Sequence, residues 1–416
     1  MSRSLIVKIN QTNPFIIKSS LNMKLKLNKL WIVILIVALN SIGFSIVIPI
    51  LPFLLDSYLT PEKIVFGMGF LFSIYAICSF IAAPILGALS DKYGRKPILI
   101  ISLLGSVLGY IFLGIGGALW VLFLGRIIDG LTAGNISVLF AYISDNTKYE
   151  ERSKWYGYIG AAMGIGKIGG PTLGAFLSNI SMALPFYLTA LLLFISTLAV
   201  YFFLPESVSI EQKNQKLELN NLNPFKLLVN TLSIKSVKNL LIIGVLFYIT
   251  ITVFQFNMTL FLKDIYSLNT LYIGILLAIV GIIEILSRGI LLPWLIKIYP
   301  QKRVTIIGLI TLALGFTCIV CSIYVYSLAL ISIAVILIIL GEGLFEPTYL
   351  TNLSEQTSEN DQGKIQGVNQ SLQSLINIAI PILASSIYFY SASLLYISAI
   401  AILIIALLLF NRKSQL

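Results

Sequence analysis

The chain is a succession of long apolar runs broken by short polar links, and the runs are all of about one size. Residues 30–55, 64–87, 98–116, 118–143, 154–179 and 182–204 form one set of six; 239–262, 269–296, 303–322, 326–352, 364–388 and 390–411 form a second. Each run is close to or above the roughly 20 residues that a helix needs to cross a bilayer. The pattern predicts an all-α integral membrane protein with twelve transmembrane helices in two six-helix halves. The expected division is a tail over 1–29, a first half over 30–204, a linker over 205–238, a second half over 239–411 and a short tail over 412–416. The linker, which opens Pro205-Glu206-Ser207, is the longest polar stretch, and six plus six suggests an internal duplication.

Composition narrows the class. With 58% hydrophobic and 11% charged residues and a mean hydropathy of +0.96, an ordinary soluble enzyme is excluded. The runs use most of the 416 residues, which leaves no room for a sizeable domain outside the membrane. The first 28 residues are polar and basic. Residues 1–22 are expected to lack order, and translation could start at Met1 or Met23. The run that follows is too long for a signal-peptide core and reads as a retained first span.

The net charge of +11 changes the picture only until the charges are placed. With both termini on the cytoplasmic side, Arg126, Lys167 and Arg288 lie inside spans, Lys63 and Lys263 face outward, and the other 23 of the 28 Lys and Arg are cytoplasmic. That bias sets topology and explains a basic protein without a nucleic-acid partner. Cys78, Cys318 and Cys321 sit in apolar runs as small hydrophobes, so neither a disulfide nor a metal site is inferred. There is no histidine, so proton chemistry falls to carboxylates. No nucleophile constellation, metal cluster or phosphate loop is present, so no enzyme and no cofactor is expected.

Three motifs stand out. The link Gly87-Ala-Leu-Ser-Asp91-Lys-Tyr-Gly94-Arg95-Lys96-Pro97 joins the second and third spans, with Gly94 permitting a tight reversal. On its own it could be a plain basic loop that fixes topology. Arg126-x-x-x-Gly130 lies on the fourth span. Gly166, Gly170 and Gly174 recur every four residues on the fifth, with Pro171 among them; small residues let helices approach closely, and a proline weakens the helix locally. Together the motifs resemble the major facilitator superfamily, specifically its 12-span drug:proton antiporter branch, which includes tetracycline exporters. The resemblance covers residues 30–411. It implies that the first motif is a gating latch, in which Asp91 holds the start of the eleventh helix and Arg95 and Asp145 complete a charge network. It links Arg126 to proton coupling, and the helix-5 motif to a hinge where the halves meet. It also implies a central cavity lined by the first, fourth, seventh and tenth helices, with Asn40, Phe44, Phe254, Gln255, Asn257 and Tyr349 as candidates.

Ionisable residues inside spans are costly enough to mark function. Arg126 and Asp129 lie i, i+3; Glu284 and Arg288, and Glu342 and Glu346, lie i, i+4, so each pair shares a helix face. Mutual neutralisation is the structural alternative. Lys167 stands where the antiporter motif carries an apolar residue, and an ion pair with Glu284 across the halves is expected, with Asp129 as the competing partner. Glu342 or Asp129 is favoured as proton carrier. The stretch that opens at Asn40 usually opens with aspartate in the tetracycline exporters. Asparagine cannot titrate, so any proton duty of the first span has moved or vanished.

The expectation is a proton-driven exporter of small amphipathic compounds in a bacterial inner membrane, working as a monomer among lipids. A symporter or uniporter importing a metabolite is the alternative, and a transport-inactive sensor or scaffold a third.

Overall fold

The computed structural model describes residues 14–147, 149–208, 235–356 and 362–412. They are helical almost throughout. The elements are α1 (Pro14–Ile46), α2 (Leu51–Leu55), α3 (Pro61–Tyr93), α4 (Arg95–Ile115), α5 (Leu119–Leu131), α6 (Asn135–Asn146), α7 (Tyr149–Ser178) and α8 (Leu184–Phe203) in one group. The second group holds α9 (Lys235–Tyr266), α10 (Thr270–Leu286), α11 (Leu292–Ile298), α12 (Gln301–Val325), α13 (Leu328–Glu355), α14 (Gln362–Tyr390) and α15 (Ala392–Arg412). Among the described residues, eleven helical segments are long and apolar enough to cross a membrane. The segment expected over 154–179 forms the 30-residue α7, whose glycines and charged residues lower its hydropathy.

Hydropathy alone misplaces helix ends at four points. The run 30–55 is two elements, because Pro49 and Pro52 lack the N–H groups that a continuing helix would use; a turn over 47–50 leads into α2. The helix also begins earlier than the run does. Residues 14–22, expected to lack order, are the first turns of α1; they follow Pro14, which suits a helix start. The fourth run breaks at Thr132-Ala133-Gly134 into α5 and α6. Within the eighth run, one wide π-type turn over Ser287–Leu291 separates α10 from α11. Pro293 just beyond it cannot donate to the carbonyl four residues back, and the helix accommodates this by widening.

Apolar packing fills each group. Tyr142, Phe186 and Ile46 are fully buried in the first, and Phe247, Phe316 and Phe345 in the second. The groups meet along α3 with α14, α7 with α10, and α2 with α9. The joining contacts cluster toward the end of the molecule that carries Asp56. Ser385 Oγ donates to Val65 O at 2.8 Å and Ser73 Oγ to Ile378 O at 2.7 Å. Gly69 lies against Ser385, and Gly274 against Ala175, so closely that a Cβ on either glycine would collide. Outermost, Lys263 Nζ pairs with Asp56 at 2.5 Å, donates to Pro52 O at 3.1 Å and lies 5.1 Å from the Phe53 ring centroid. The α3–α4 turn with Asp91 sits at the other end.

Candidate functional site

At the Asp91 end, α3 stops at Tyr93 and α4 starts at Arg95, so Gly94 alone makes the reversal. Its φ of 111° suits glycine and strains other residues. The space a side chain would need is filled by the Glu206 carboxylate. Glu206 Oε1 accepts the backbone N–H of Arg95 at 2.8 Å, of Ser207 at 2.9 Å and of Val208 at 3.1 Å, an anion seated on the α4 N-terminus. The Arg95 guanidinium bridges Asp91 at 2.6 Å and Asp145 at 3.0 Å and donates to Ser90 Oγ at 2.7 Å. Ser207 Oγ donates to the same Asp145 at 2.9 Å, and Lys96 Nζ to Tyr201 O at 2.6 Å. The Gly87 carbonyl accepts from Ser90 Oγ at 2.6 Å. Gly87, Asp91, Gly94, Arg95 and Asp145 therefore share one network, while Lys96 beside them holds Tyr201 instead. Glu206 belongs to it too, although its position at the start of a polar linker marked it only as the end of a span. The contact expected between Asp91 and the start of the eleventh span falls at residues 361–364, whose side chains lie outside the described ones.

The α7 glycines face a different neighbour from the one expected. A Cβ on Gly166 would strike Ser41, one on Gly170 would strike Ser45, and one on Gly174 would strike the Ile46 carbonyl, so the stripe packs α7 onto α1 within its own group. Ser45 Oγ donates to Gly166 O at 2.7 Å across that seam. The other face of α7 meets the second group: Pro171 and Ala175 lie against Gly274, and Ile168 against Gly281. At the α7–α10 seam the close-packed glycines are thus those of α10, and the α7 stripe is not itself the junction.

The seven charged residues inside the spans form two clusters. Arg126 and Asp129 on α5 are 2% and 4% exposed, and their closest approach is 3.7 Å. The guanidinium lies 5.6 Å from the Tyr75 ring centroid and 5.8 Å from that of Phe72. The second cluster crosses the groups. Lys167 Nζ on α7 is 3.5 Å from Glu284 Oε1 on α10, which settles its partner as Glu284 rather than Asp129. Arg288 Nη2, carried on the widened turn, reaches Glu346 at 2.7 Å, Glu284 at 3.2 Å and Glu342 at 3.8 Å. Glu342 and Glu346 have no basic residue on their own helix, and Arg288 supplies one from beside it. Two cations face three carboxylates, so with every group ionised the cluster carries one uncompensated negative charge.

Both clusters open on one cavity of about 320 Å³ between the groups. Its wall includes Asn40, Phe44, Phe254 and Gln255 as expected, with Asp129, Lys167, Glu284 and Glu342 from the charged clusters. Asn257 and Tyr349 are not part of it. Asn257 is wholly buried with its amide donating to Val253 O at 3.2 Å, and Tyr349 is buried with its hydroxyl donating to Asn369 Oδ1 at 2.8 Å. Their helices turn those faces into the second group. The wall also holds Tyr75, Ser106, Tyr110 and Asn135, which the sequence reading passed over. Asn135 starts α6 after the break and donates to Asn40 Oδ1 at 2.5 Å; only the break brings it to the cavity. Tyr110 donates to Gly43 O at 3.0 Å.

Two packed helical groups around a polar-studded apolar cavity, with charged residues at membrane depth, are the architecture of a membrane transporter. The model of the Major Facilitator Superfamily matches residues 33–381 and 289–415, and the chain belongs to that superfamily. It is 33% identical over 369 residues to the "Tetracycline resistance protein, class H" of Pasteurella multocida, covering 87% of this chain and 89% of that one. It is 28% identical over 354 residues to "Multidrug resistance protein 2" of Bacillus subtilis, covering 83% and 85%. The crystal structure of the human organic anion transporter MFSD10 superposes with a TM-score of 0.71 over 92% of this chain and 99% of that one; at 19% identity the likeness is one of fold. The chain is a multi-pass membrane protein, a drug-efflux transporter by family.

Proposed function

We propose that the chain exports small amphipathic compounds in exchange for protons, by rocking its two helical groups around the central cavity. The observation that carries this reading is the charged cluster. It lies on the cavity wall, its Lys167–Glu284 pair joins the groups, and its odd carboxylate has no matching cation. One proton on Glu342 would balance the cluster, and its release would restore the excess charge. A carboxylate that changes charge where the groups touch couples proton occupancy to their relative position. Asp129, buried beside Arg126, is the second candidate carrier.

We take α7 as the twelfth span, with both termini cytoplasmic and the bilayer that of a bacterial inner membrane. The Asp56 end is then extracellular, and its contacts describe a state shut to the outside. Lys263 is its outermost bolt, inserted among Asp56, Pro52 and Phe53 of the other group. The Arg95 network braces the cytoplasmic end of the first group. The mostly apolar cavity suits tetracycline-like or other amphipathic organic molecules better than sugars. We take the transporter to work as a monomer, a reading supported by one chain supplying the residues that line the cavity.

The test is a pH-sensitive dye inside proteoliposomes that hold an imposed proton gradient. Addition of a tetracycline or a lipophilic cation should release protons from the protein-bearing vesicles, and Glu342→Gln should abolish that signal. Substrate movement with no proton signal in the unaltered protein would replace antiport with uniport and leave the buried charges a structural role.

A further inference from the structure

Beside the central cavity lies a second, smaller one of about 140 Å³, enclosed by α9, α13 and α14 and sharing Lys167, Gln255 and Glu342 with the first. The two differ in chemistry. The larger is walled mainly by apolar side chains such as Phe44, Leu276, Leu277 and Ile339. The smaller presents Thr252, Gln255, Gln373 and Asn377 together with the carboxylates of Glu342 and Glu346. A molecule that fills both must therefore be apolar over most of its body and polar at one end.

The charges decide which polar end fits. Lys167 is turned to Glu284, and Arg288 approaches Glu346 most closely. Glu342 has Arg288 at 3.8 Å, an ion-pair separation beyond hydrogen-bond range, and shares the pocket wall with Lys167, so the three carboxylates still outnumber the two cations. An anion entering here meets the uncompensated carboxylate and is repelled, whereas a cation supplies what the cluster lacks. The neighbours decide what kind of cation. The Gln373 and Asn377 amides, the Thr252 hydroxyl (which donates to Asn377 Oδ1 at 3.4 Å) and the Glu342 carboxylate all carry acceptor oxygens, and acceptor oxygens beside a carboxylate favour a cation that donates. Resting on the reading of the chain as a transporter of amphipathic compounds, we infer that the polar pocket is a head-group subsite for an ammonium ion bearing N–H donors. The apolar body of the same molecule lies against Phe44 and Phe254 in the central cavity.

The experiment is isothermal titration of the full-length protein in lipid nanodiscs with three probes of one apolar body: phenethylammonium, its N-trimethylated analogue and phenylpropionate. Phenethylammonium should bind, and the other two at least about tenfold more weakly, the loss that hydrogen bonds to a charged group impose when they go unmade. Gln373→Leu and Asn377→Leu should each narrow the gap between phenethylammonium and its trimethylated analogue. Equal binding of the two cations, stronger binding of the anion, or no binding by any probe would overturn the subsite. The probe comparison on the unaltered protein decides even if both variants fail to fold. Tetracycline-driven proton release by a protein that shows no ammonium preference would sink the subsite and leave the exporter reading standing. An ammonium preference without proton release would support the subsite alone.

Discussion

At the scale of single residues, Gly94 makes the sharpest demand. Its backbone is in a region held almost only by glycine, where another residue is strained by about 1–3 kcal/mol, and the Glu206 carboxylate occupies the place of its missing side chain. Gly94→Ala should lower the midpoint of thermal unfolding of the purified protein. Because part of that loss is collision with Glu206, Gly94→Ala together with Glu206→Ala should cost less than the sum of the two single changes. Strict additivity would show that the carboxylate is not seated where the glycine leaves room. The residues of this turn were legible because glycine, aspartate and arginine between two apolar runs have few other uses. Glu206 was not, since nothing in the chain says that a linker residue folds back more than a hundred positions to cap α4. Asn257 and Tyr349 failed for a different reason. In a helix apolar on every side, the pattern of polar positions does not say which face looks inward.

At the scale of elements, α7 carries two seams on opposite faces, and they should respond differently to added bulk. Gly170 is pressed on Ser45 and the α1 backbone, while Gly164 has open space around it. Gly170→Val should destabilise the protein by about 1–3 kcal/mol through overpacking. Gly164→Ala should be neutral or stabilise by up to about 1 kcal/mol, as expected when a helical glycine gains a methyl group in free space. Thermal melts of the two variants check this; equal losses would mean that the α1–α7 seam is not where the stripe packs. The spacing of the glycines was enough to predict close packing, but not the partner, because a four-residue repeat marks a helix face without naming what lies opposite. The breaks at 132–134 and 287–291 were hidden for a related reason. Each break falls inside a run long and apolar enough to read as one span, and Thr132 and Ser287-Arg288, the polar residues at the breaks, look like side chains within a span and not like turn signals. Those breaks are functional in position: one delivers Asn135 to the cavity, the other aims Arg288 at three carboxylates.

At the scale of the molecule, the two sets of six apolar runs and the placement of charges were sufficient to anticipate an all-helical membrane protein of two groups. They were insufficient to say in which state it rests. That depends on contacts between residues far apart in the chain, such as Lys263 with Asp56 and Ser73 with Ile378. These contacts gather at one end, with the charged cluster at the inner edge of the seam and the cavity beyond it. The arrangement ties three things together: the ion pair Lys167–Glu284, the odd carboxylate Glu342 and the bolt Lys263. If the groups rock, the bolt must open when the other end closes.

The measurement that bears on this most directly is a pair of distances read by electron spin resonance in nanodiscs, with labels at exposed positions on both groups. Ile180 with Tyr390 reports the Asp56 end, and Tyr93 with Ile298 the Asp91 end. Between mildly acidic and mildly alkaline buffer the account predicts opposite changes, one separation lengthening as the other shortens, and Glu342→Gln should freeze both in one of the two states. Separations that stay constant, or that grow and shrink together, would contradict a rocking transporter governed by that carboxylate.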